Sequence, residues 1–519
     1  MICLWDENPL WHELLKQVGV SFSSGSRVSG RAVIILDREP DVLRAHSIWE
    51  HVQSGGCLLA PAANAAAVWP ELRLTPGRLR WIAADGDSPL FRNIGIVDLQ
   101  TRGSRIRTAN VGVTDYGGKA LLAAPFGRGF GVMLPFRVAA ALAGAGSGPK
   151  QFPADTPRLP YDTVARPSRG EVRRLIANCL RYLLAQKDLP FVHLPYVPGP
   201  GPGALMFRVD TDFGPRRDLE AVARLAERVG MKFSWFVNVG AHGAHLDLFA
   251  DLARQGHDVQ LHCQTHTVYP DYKRNLDNYR QGKDLMAAAG IPPVGVVAPF
   301  GEWNPNLNRA LEHLGFEYSS EFCLAYDDLP FRPLVAGRLS NVLQVPVHPI
   351  CLGRLIAARA TPKQMASYLC SVIDLQIARQ EPCLLYDHPE RIARHSDLLA
   401  DVLQYGNERC GMTTTMTQFA RWWRRREQFD WTARYSSKDI DIHASAGRDD
   451  LAIVVERDGR SAVLPAGPGK YPLTALPWRA LPEPVRFDPR DLAARAPSLL
   501  LQARSLHRKA RKTLRGHRG

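Results

Sequence analysis

Nowhere in the 519 residues do eighteen apolar residues run together, so no segment reads as a transmembrane helix. The start, MICLWDENPLWHELLKQ, places Asp6 and Glu7 where a secretory leader would carry lysines, and it lacks an apolar core ending in small residues. Export by that route is not expected. There is no Cys-x-x-Cys, and nine dispersed cysteines read as reduced thiols of a cytoplasmic protein. Acidic residues are missing from Gln502 onward, where seven Lys and Arg fall, half of the formal net charge of +14. Without that tail the body is only mildly basic, which argues against a nucleic-acid-binding core. Repeats and low-complexity tracts are also missing, apart from a glycine-proline loop at 195–203.

At this length several domains are expected. Residues 1–150 alternate helical and extended signals: Leu10, Leu14, Leu15 and Val18 at helical spacing, then the strand-like runs RAVIILD (31–37) and GGCLLAP (55–61). That alternation predicts a small open α/β, Rossmann-like accessory domain. Residues 151–203 read as linker and helix, the linker composition beginning at Ser147 and the helix covering 169–186. From 204 to 426 the pattern is regular, with strand-like runs at 204–209, 233–239, 258–262, 294–298, 316–320, 342–347 and 383–387, most followed by a helical stretch. Leu219, Val222, Leu225, Ala226 and Val229 make one helical stripe, and Asn304-Pro305 and Thr361-Pro362 are helix starts. Seven such units predict a distorted (β/α)7 barrel. Residues 427–485 read as a small β module, with strands at 439–443, 451–456 and 461–465.

The chemistry-bearing residues fall at the ends of those runs. The first ends in Arg208-Val209-Asp210-Thr211-Asp212, two carboxylates at spacing two. The third ends in His262-Cys263-Gln264-Thr265-His266, and two imidazoles four apart can share one metal if the segment turns helical. The last ends in Asp387-His388. Alone, an Asp-x-Asp caps a helix or pairs with an arginine, and a lone histidine is more often a turn or core residue. Their convergence on the carboxyl ends of barrel strands, the face that carries barrel active sites, is what points to a metal-assisted hydrolase.

The stretch from about 204 to 423 resembles the polysaccharide deacetylase family of carbohydrate esterases (nodulation-type, carbohydrate esterase family 4). Val209-Asp210-Thr211-Asp212 looks like its paired-aspartate motif, His262 to His266 like its His-Ser/Thr-x-x-His, Val297-Ala298-Pro299-Phe300-Gly301 like its Arg-x-Pro-aromatic-Gly, and Leu385-Tyr386-Asp387-His388 like its Leu-x-x-His. The resemblance implies a seven-stranded distorted barrel and a divalent metal, zinc or similar. Two departures stand out. Thr211 separates aspartates that are usually adjacent, which leaves open which of them meets the metal. Val297 stands where an arginine usually braces the catalytic aspartate, so another cation such as Arg208 takes over, or the aspartate is tuned differently.

The assignment that follows is Asp212, His262 and His266 as metal ligands, Asp210 as general base and His388 as general acid. Pro299, Phe300, Gly301, Trp303 and Glu321 are expected at the substrate, with Tyr269 as a further aromatic and a backbone N–H near Phe300 facing the oxyanion. The expected reaction is N-deacetylation of an amino sugar, nucleotide-linked, lipid-linked or polymeric, in cell-surface polysaccharide or glycolipid biosynthesis. The rivals are a deformylase or other amide hydrolase, and an inactive carbohydrate-binding scaffold. The front domain is loosely similar to amidotransferase-like folds, but Cys57 precedes its apolar run and reads as structural. Cys263 reads as packing. In the tail, Leu499, Ala503, Leu506, Ala510 and Leu514 form a stripe among basic residues, the pattern of a helix for an anionic membrane surface. The expected location is therefore the cytoplasm, with the inner membrane as a contact.

Overall fold

The computed structural model describes residues 2–25, 33–144, 146–199 and 201–485. The basic tail at 486–519, and with it the expected membrane-facing helix, lies outside the described residues. Two compact units emerge in place of five consecutive segments. One comprises 1–144, 167–200 and 421–487; the other is built from 145–166 and 201–420. Among the described residues no helix is long and apolar enough to cross a membrane.

The second unit holds seven parallel strands: β1 (Ala204–Thr211), β2 (Ser234–Asn238), β3 (Asp258–Cys263), β4 (Gly295–Val296), β5 (Tyr318–Ser319), β6 (Leu343–Gln344) and β7 (Pro382–Asp387). Their order in the sheet is β6-β5-β4-β3-β2-β1-β7. Every residue of β1 is buried, as expected of a parallel strand covered on both faces. The helices α1 (Arg216–Arg228), α2 (Leu246–Arg254), α3 (Tyr272–Ala288), α4 (Pro305–His313), α5 (Pro362–Arg379) and α6 (Ser396–Cys410) lie between strands or after the last. The stripe on α1 is buried as its spacing predicts. Asn304 caps α4 by accepting from Leu307 N, and Thr361 forms a capping box with Gln364 at α5.

The sheet curls but remains a half-barrel in its ladders. Between the edge strands, one backbone hydrogen bond reaches across, from His348 N to Leu384 O at 3.0 Å. Strands β4, β5 and β6 are two residues each, shorter than their apolar runs. An apolar run records which side chains are buried, whereas a strand also needs a partner's N–H and C=O in register. No helix separates β5 from β6; a two-residue ribbon (Leu334–Val335 with Arg338–Leu339) stands there. Residues 147–165, linker-like in composition, instead pair as an antiparallel hairpin, Ser147–Gln151 with Tyr161–Ala165. Such an isolated two-stranded ribbon tolerates proline, which a central strand would not.

The first unit contains a nine-stranded mixed sheet. Phe22–Ser24, Ile2–Leu4, Val33–Ile35, Cys57–Pro61 and Gly129–Leu134 run parallel, and Lys119–Phe126, Val111–Thr114, Leu74–Ala83 and Ile96–Ile106 continue antiparallel. The β module predicted after residue 426 belongs to this unit and forms two small antiparallel sheets. One of them recruits Phe191–His193, a strand hidden in sequence by its brevity. Cys57 opens its strand fully buried, with burial pushing its thiol up to about 11, which fits a packing residue.

Candidate active site

The carboxyl end of β1 brings the acids together. Arg208 and Asp210, two apart on one strand, share a face. Arg208 Nε donates to Asp210 Oδ1 at 2.7 Å and Nη2 to Oδ2 at 2.6 Å, both side chains being buried. Arg208 Nη1 also donates to Ser320 O and Oγ. The guanidinium absent at Val297 is thus supplied from inside the first motif itself. Thr211 separates the two aspartates and turns inward, its hydroxyl donating to Phe236 O and accepting from Asn238 N.

Asp212, at the mouth, meets three imidazoles. Its Oδ1 lies 3.1 Å from His262 Nε2 and 3.1 Å from His266 Nε2, and its Oδ2 lies 3.3 Å from His388 Nε2. Burial works against its charge, but the three rings, when they carry protons on Nε2, outweigh burial and hold the carboxyl far below the usual carboxylate range. His262 Nδ1 sits 2.6 Å from Val297 O, which fixes the proton there and leaves Nε2 with a free lone pair. The Nε2 atoms of His262 and His266 are buried and make no hydrogen bond. One carboxylate and two imidazoles, their ligand atoms within 4.8 Å of one another, are grouped so that they could hold one metal ion.

The two imidazoles do not meet through a helical turn. His262 is within β3, and His266 follows in a loop held by Asn278, which accepts from Gln264 N and Thr265 N and donates to Thr265 O and Thr267 O. That amide bridge replaces the helical ladder. At the end of β7, Asp387 accepts from Leu352 N and His388 N. Burial disfavours a second proton on His388, yet Asp212, Asp387 and Cys351 outweigh it and raise its pKa well above that of free imidazole. Arg391 Nη1, 2.6 Å from His388 Nδ1, can only donate, so the neutral ring carries its proton on Nε2.

The predicted substrate contacts divide. Phe300 is 54% exposed, with its ring 4.8 Å from that of His266, and Phe213, unforeseen, is 61% exposed with its ring 5.2 Å away. Phe300 has φ of 60°, in the left-handed region that bulky residues rarely adopt. Pro299 and Gly301 are buried beneath that turn, Gly301 because a Cβ there would lie 2.5 Å from the Phe322 ring. The amides of Gly301 and Glu302 are engaged by Ala298 O and Pro299 O, so neither faces an oxyanion. Trp303 is half-buried, and Tyr269 carries Arg274 over its ring at 4.1 Å.

Glu321 corrects the expectation of a substrate contact. It is fully buried, accepting from Ala298 N and from Gln344 Nε2, and burial pushes its carboxyl up to about 7. A strand end names the correct face of a barrel, not the depth of the side chain. Cys263 is buried with its thiol raised well above the usual range, which fits packing. Besides Phe213, three groups escaped the sequence reading: Asn238, whose Nδ2 donates to Asp212 O at 2.6 Å; His242, bonded to Thr211 O; and Arg391. Only Asn238 left a signal, a polar residue closing an apolar strand.

Residues 205–319 match the family model for polysaccharide deacetylase, a family of hydrolases acting on carbon–nitrogen bonds other than peptide bonds. No curated protein matches the chain. Among solved structures, a polysaccharide deacetylase-like protein from Mycobacterium smegmatis is similar over 45% of this chain and 95% of its own, at 18% identity and TM-score 0.39. An allantoinase is similar over 45% and 93%, at 18% identity and TM-score 0.39. A family 4 carbohydrate esterase pseudoenzyme from Bacillus anthracis is similar over 44% and 68%, at 10% identity and TM-score 0.32. Likeness at this level assigns no activity to the chain.

Proposed function

We propose that this chain, which carries a polysaccharide deacetylase domain at 205–319, is a metal-dependent N-deacetylase that hydrolyses the acyl amide of an amino sugar in cell-surface polysaccharide or glycolipid biosynthesis. One observation carries the reading: two buried ring nitrogens, His262 Nε2 and His266 Nε2, lack hydrogen bonds and converge at 3.1 Å on one oxygen of Asp212. Unpaired buried nitrogens are costly unless a cation takes their lone pairs, and this donor set suits zinc or a similar divalent ion. When bound, such an ion supplies Lewis acidity towards water and towards the amide carbonyl.

The protein's own groups do the rest. Asp210, held by the Arg208 fork, accepts a proton from the attacking water. Arg208 grips both oxygens of that buried carboxylate and keeps it aimed, the task the family gives to an arginine at the position of Val297. His388, held as the imidazolium by Asp212 and Asp387, delivers its Nε2 proton, on the side of Asp212, to the leaving amine and is left as the neutral ring. Arg391 and Asp387 orient the ring from its far side. Phe213 and Phe300, exposed beside His266, offer apolar surface to the sugar ring and exclude water from one side of the amide.

The test is a metal-depleted preparation reloaded with zinc, manganese or cobalt. The expected result is one ion per chain, lost in H262A and D212N, with acetate released from N-acetylated amino sugars only by the loaded protein. Formate as the released acid would move the activity to deformylation. A loaded wild-type protein that releases neither would leave a carbohydrate-binding scaffold.

A further inference from the structure

We propose that the strand pair Leu74–Ala83 and Ile96–Ile106 of the first unit is a docking surface for an anionic glycan chain, one bearing carboxylate or phosphate groups along its length. Residues 73–80 and 99–107 contain six arginines and no acid. All six are exposed. Arg78 and Arg102 are direct cross-strand partners, and Arg105 is partnered with Thr75. Arg107 N donates to Arg73 O, so a second basic pair closes that end. Cross-strand partners sit about 5 Å apart, and like charges so placed oppose folding.

Sheets ordinarily relieve such pairs with carboxylates. Here one arginine has that relief: Arg80 pairs with Asp115 at 3.0 Å. Arg105 lies over the Tyr116 ring at 4.0 Å, which orients its guanidinium without neutralising it. Arg78 and Arg102 have no ion-pair partner among the described residues. Beyond Ile82 and Ala83, the strand Leu74–Ala83 is paired on one side only, which leaves its outer edge open. An unneutralised arginine ladder on an open strand pair is an unfavourable local choice unless an anion completes it.

The chemistry of the spacing residues narrows the partner. Thr75, Pro76, Gly77 and Ser104 lie between the arginines, while Leu79 and Ile106 are buried and Leu74 packs against the core, so no large apolar side chain is left to enter a bilayer. Single-stranded nucleic acid needs aromatic platforms for its bases, and the nearby Tyr116 ring is already covered by Arg105. Guanidinium forks suit carboxylate and phosphate groups, which a glycan presents at intervals on a flexible backbone. The cationic surface stands on its own geometry, whereas the choice of a glycan among polyanions rests on the proposed function.

Binding, not hydrolysis, is the readout, so the two proposals fail separately. Full-length protein is titrated with polygalacturonate oligomers, neutral chitooligosaccharides, duplex DNA and phosphatidylglycerol vesicles at several salt concentrations. Expected is salt-sensitive binding of the carboxylated oligomer. In R78Q/R102Q its affinity should fall about tenfold and its log–log salt slope by about two. Both side chains are exposed, so thermal unfolding and acetate release from short neutral substrates should stay at wild-type values. Unchanged binding by the variant overturns the proposal. Tighter binding of duplex DNA or vesicles than of the glycan at equal ionic strength also overturns it.

Discussion

Removing the guanidinium of Arg208 tests whether the site is built on a buried ion pair. Arg208 is fully buried and Asp210 is 4% exposed, joined by hydrogen bonds of 2.7 and 2.6 Å. R208M keeps most of the volume and takes away every donor, leaving a carboxylate in the barrel wall without its cation. Breaking a buried pair from one side costs about 3–5 kcal/mol. D210N leaves the buried Arg208 cation without its carboxylate, but the amide oxygen still accepts one of the two bonds, so its cost should fall at the low end of that range, about 3 kcal/mol. R208M/D210N removes both charges, so its cost should fall short of the summed single costs by about 2 kcal/mol or more. Urea unfolding of metal-free protein at pH 7 measures all three, with m compared to confirm the same transition. Additivity within about 0.5 kcal/mol would falsify the pairing. R208K, a point charge in place of a fork, should recover part of the stability and less of the acetate release.

Glu321 makes stability fall with pH. Its folded pKa of about 7 lies above the usual 4.5, so the folded state holds the proton more tightly and loses up to about 3 kcal/mol as pH rises from 4.5 through 7. E321Q removes that slope but has one acceptor fewer for Ala298 N and Gln344 Nε2, a constant loss of about 1 kcal/mol, so it should be less stable at pH 4.5 and more stable at pH 8. Parallel urea midpoints at the two pH values would refute this. Gly301→Ala should destabilise by about 2–3 kcal/mol, because φ is 60° and a Cβ would strike the Phe322 ring; an unchanged Tm would contradict the turn as drawn. Eight of the nine thiols are buried and burial pushes Cys57 and Cys410 up to about 11 and about 12, so at pH 8 a thiol-exchange dye should find at most Cys370 before unfolding and nine thiols after it. Zinc at a hundred times its dissociation constant should stabilise the metal-free wild type by about 2.7 kcal/mol and leave H262A/H266A unmoved, read as a Tm shift.

Much of this protein was legible along the chain because its signals are local. Apolar runs at 204–209, 258–262 and 383–387 announced strands, the stripe from Leu219 to Val229 announced a helix face, and polar residues closing those runs marked one end of a parallel sheet. Asp210, Asp212, His262, His266 and His388 could be named in advance for that reason. Depth and partnership could not, since both depend on segments far away in sequence. Ala298 and Gln344, from two other strands' ends, bury Glu321; Asn278, on α3, bends the loop that carries His266; the hairpin at 147–165 pairs residues that composition alone would scatter. Arg208 lies two residues from Asp210, close enough to suspect, but only the pleat of β1 with Ser320 beside it makes the guanidinium the support of that carboxylate. Periodicity is written into consecutive residues. Which side chain shields, bonds or charges another is decided by packing.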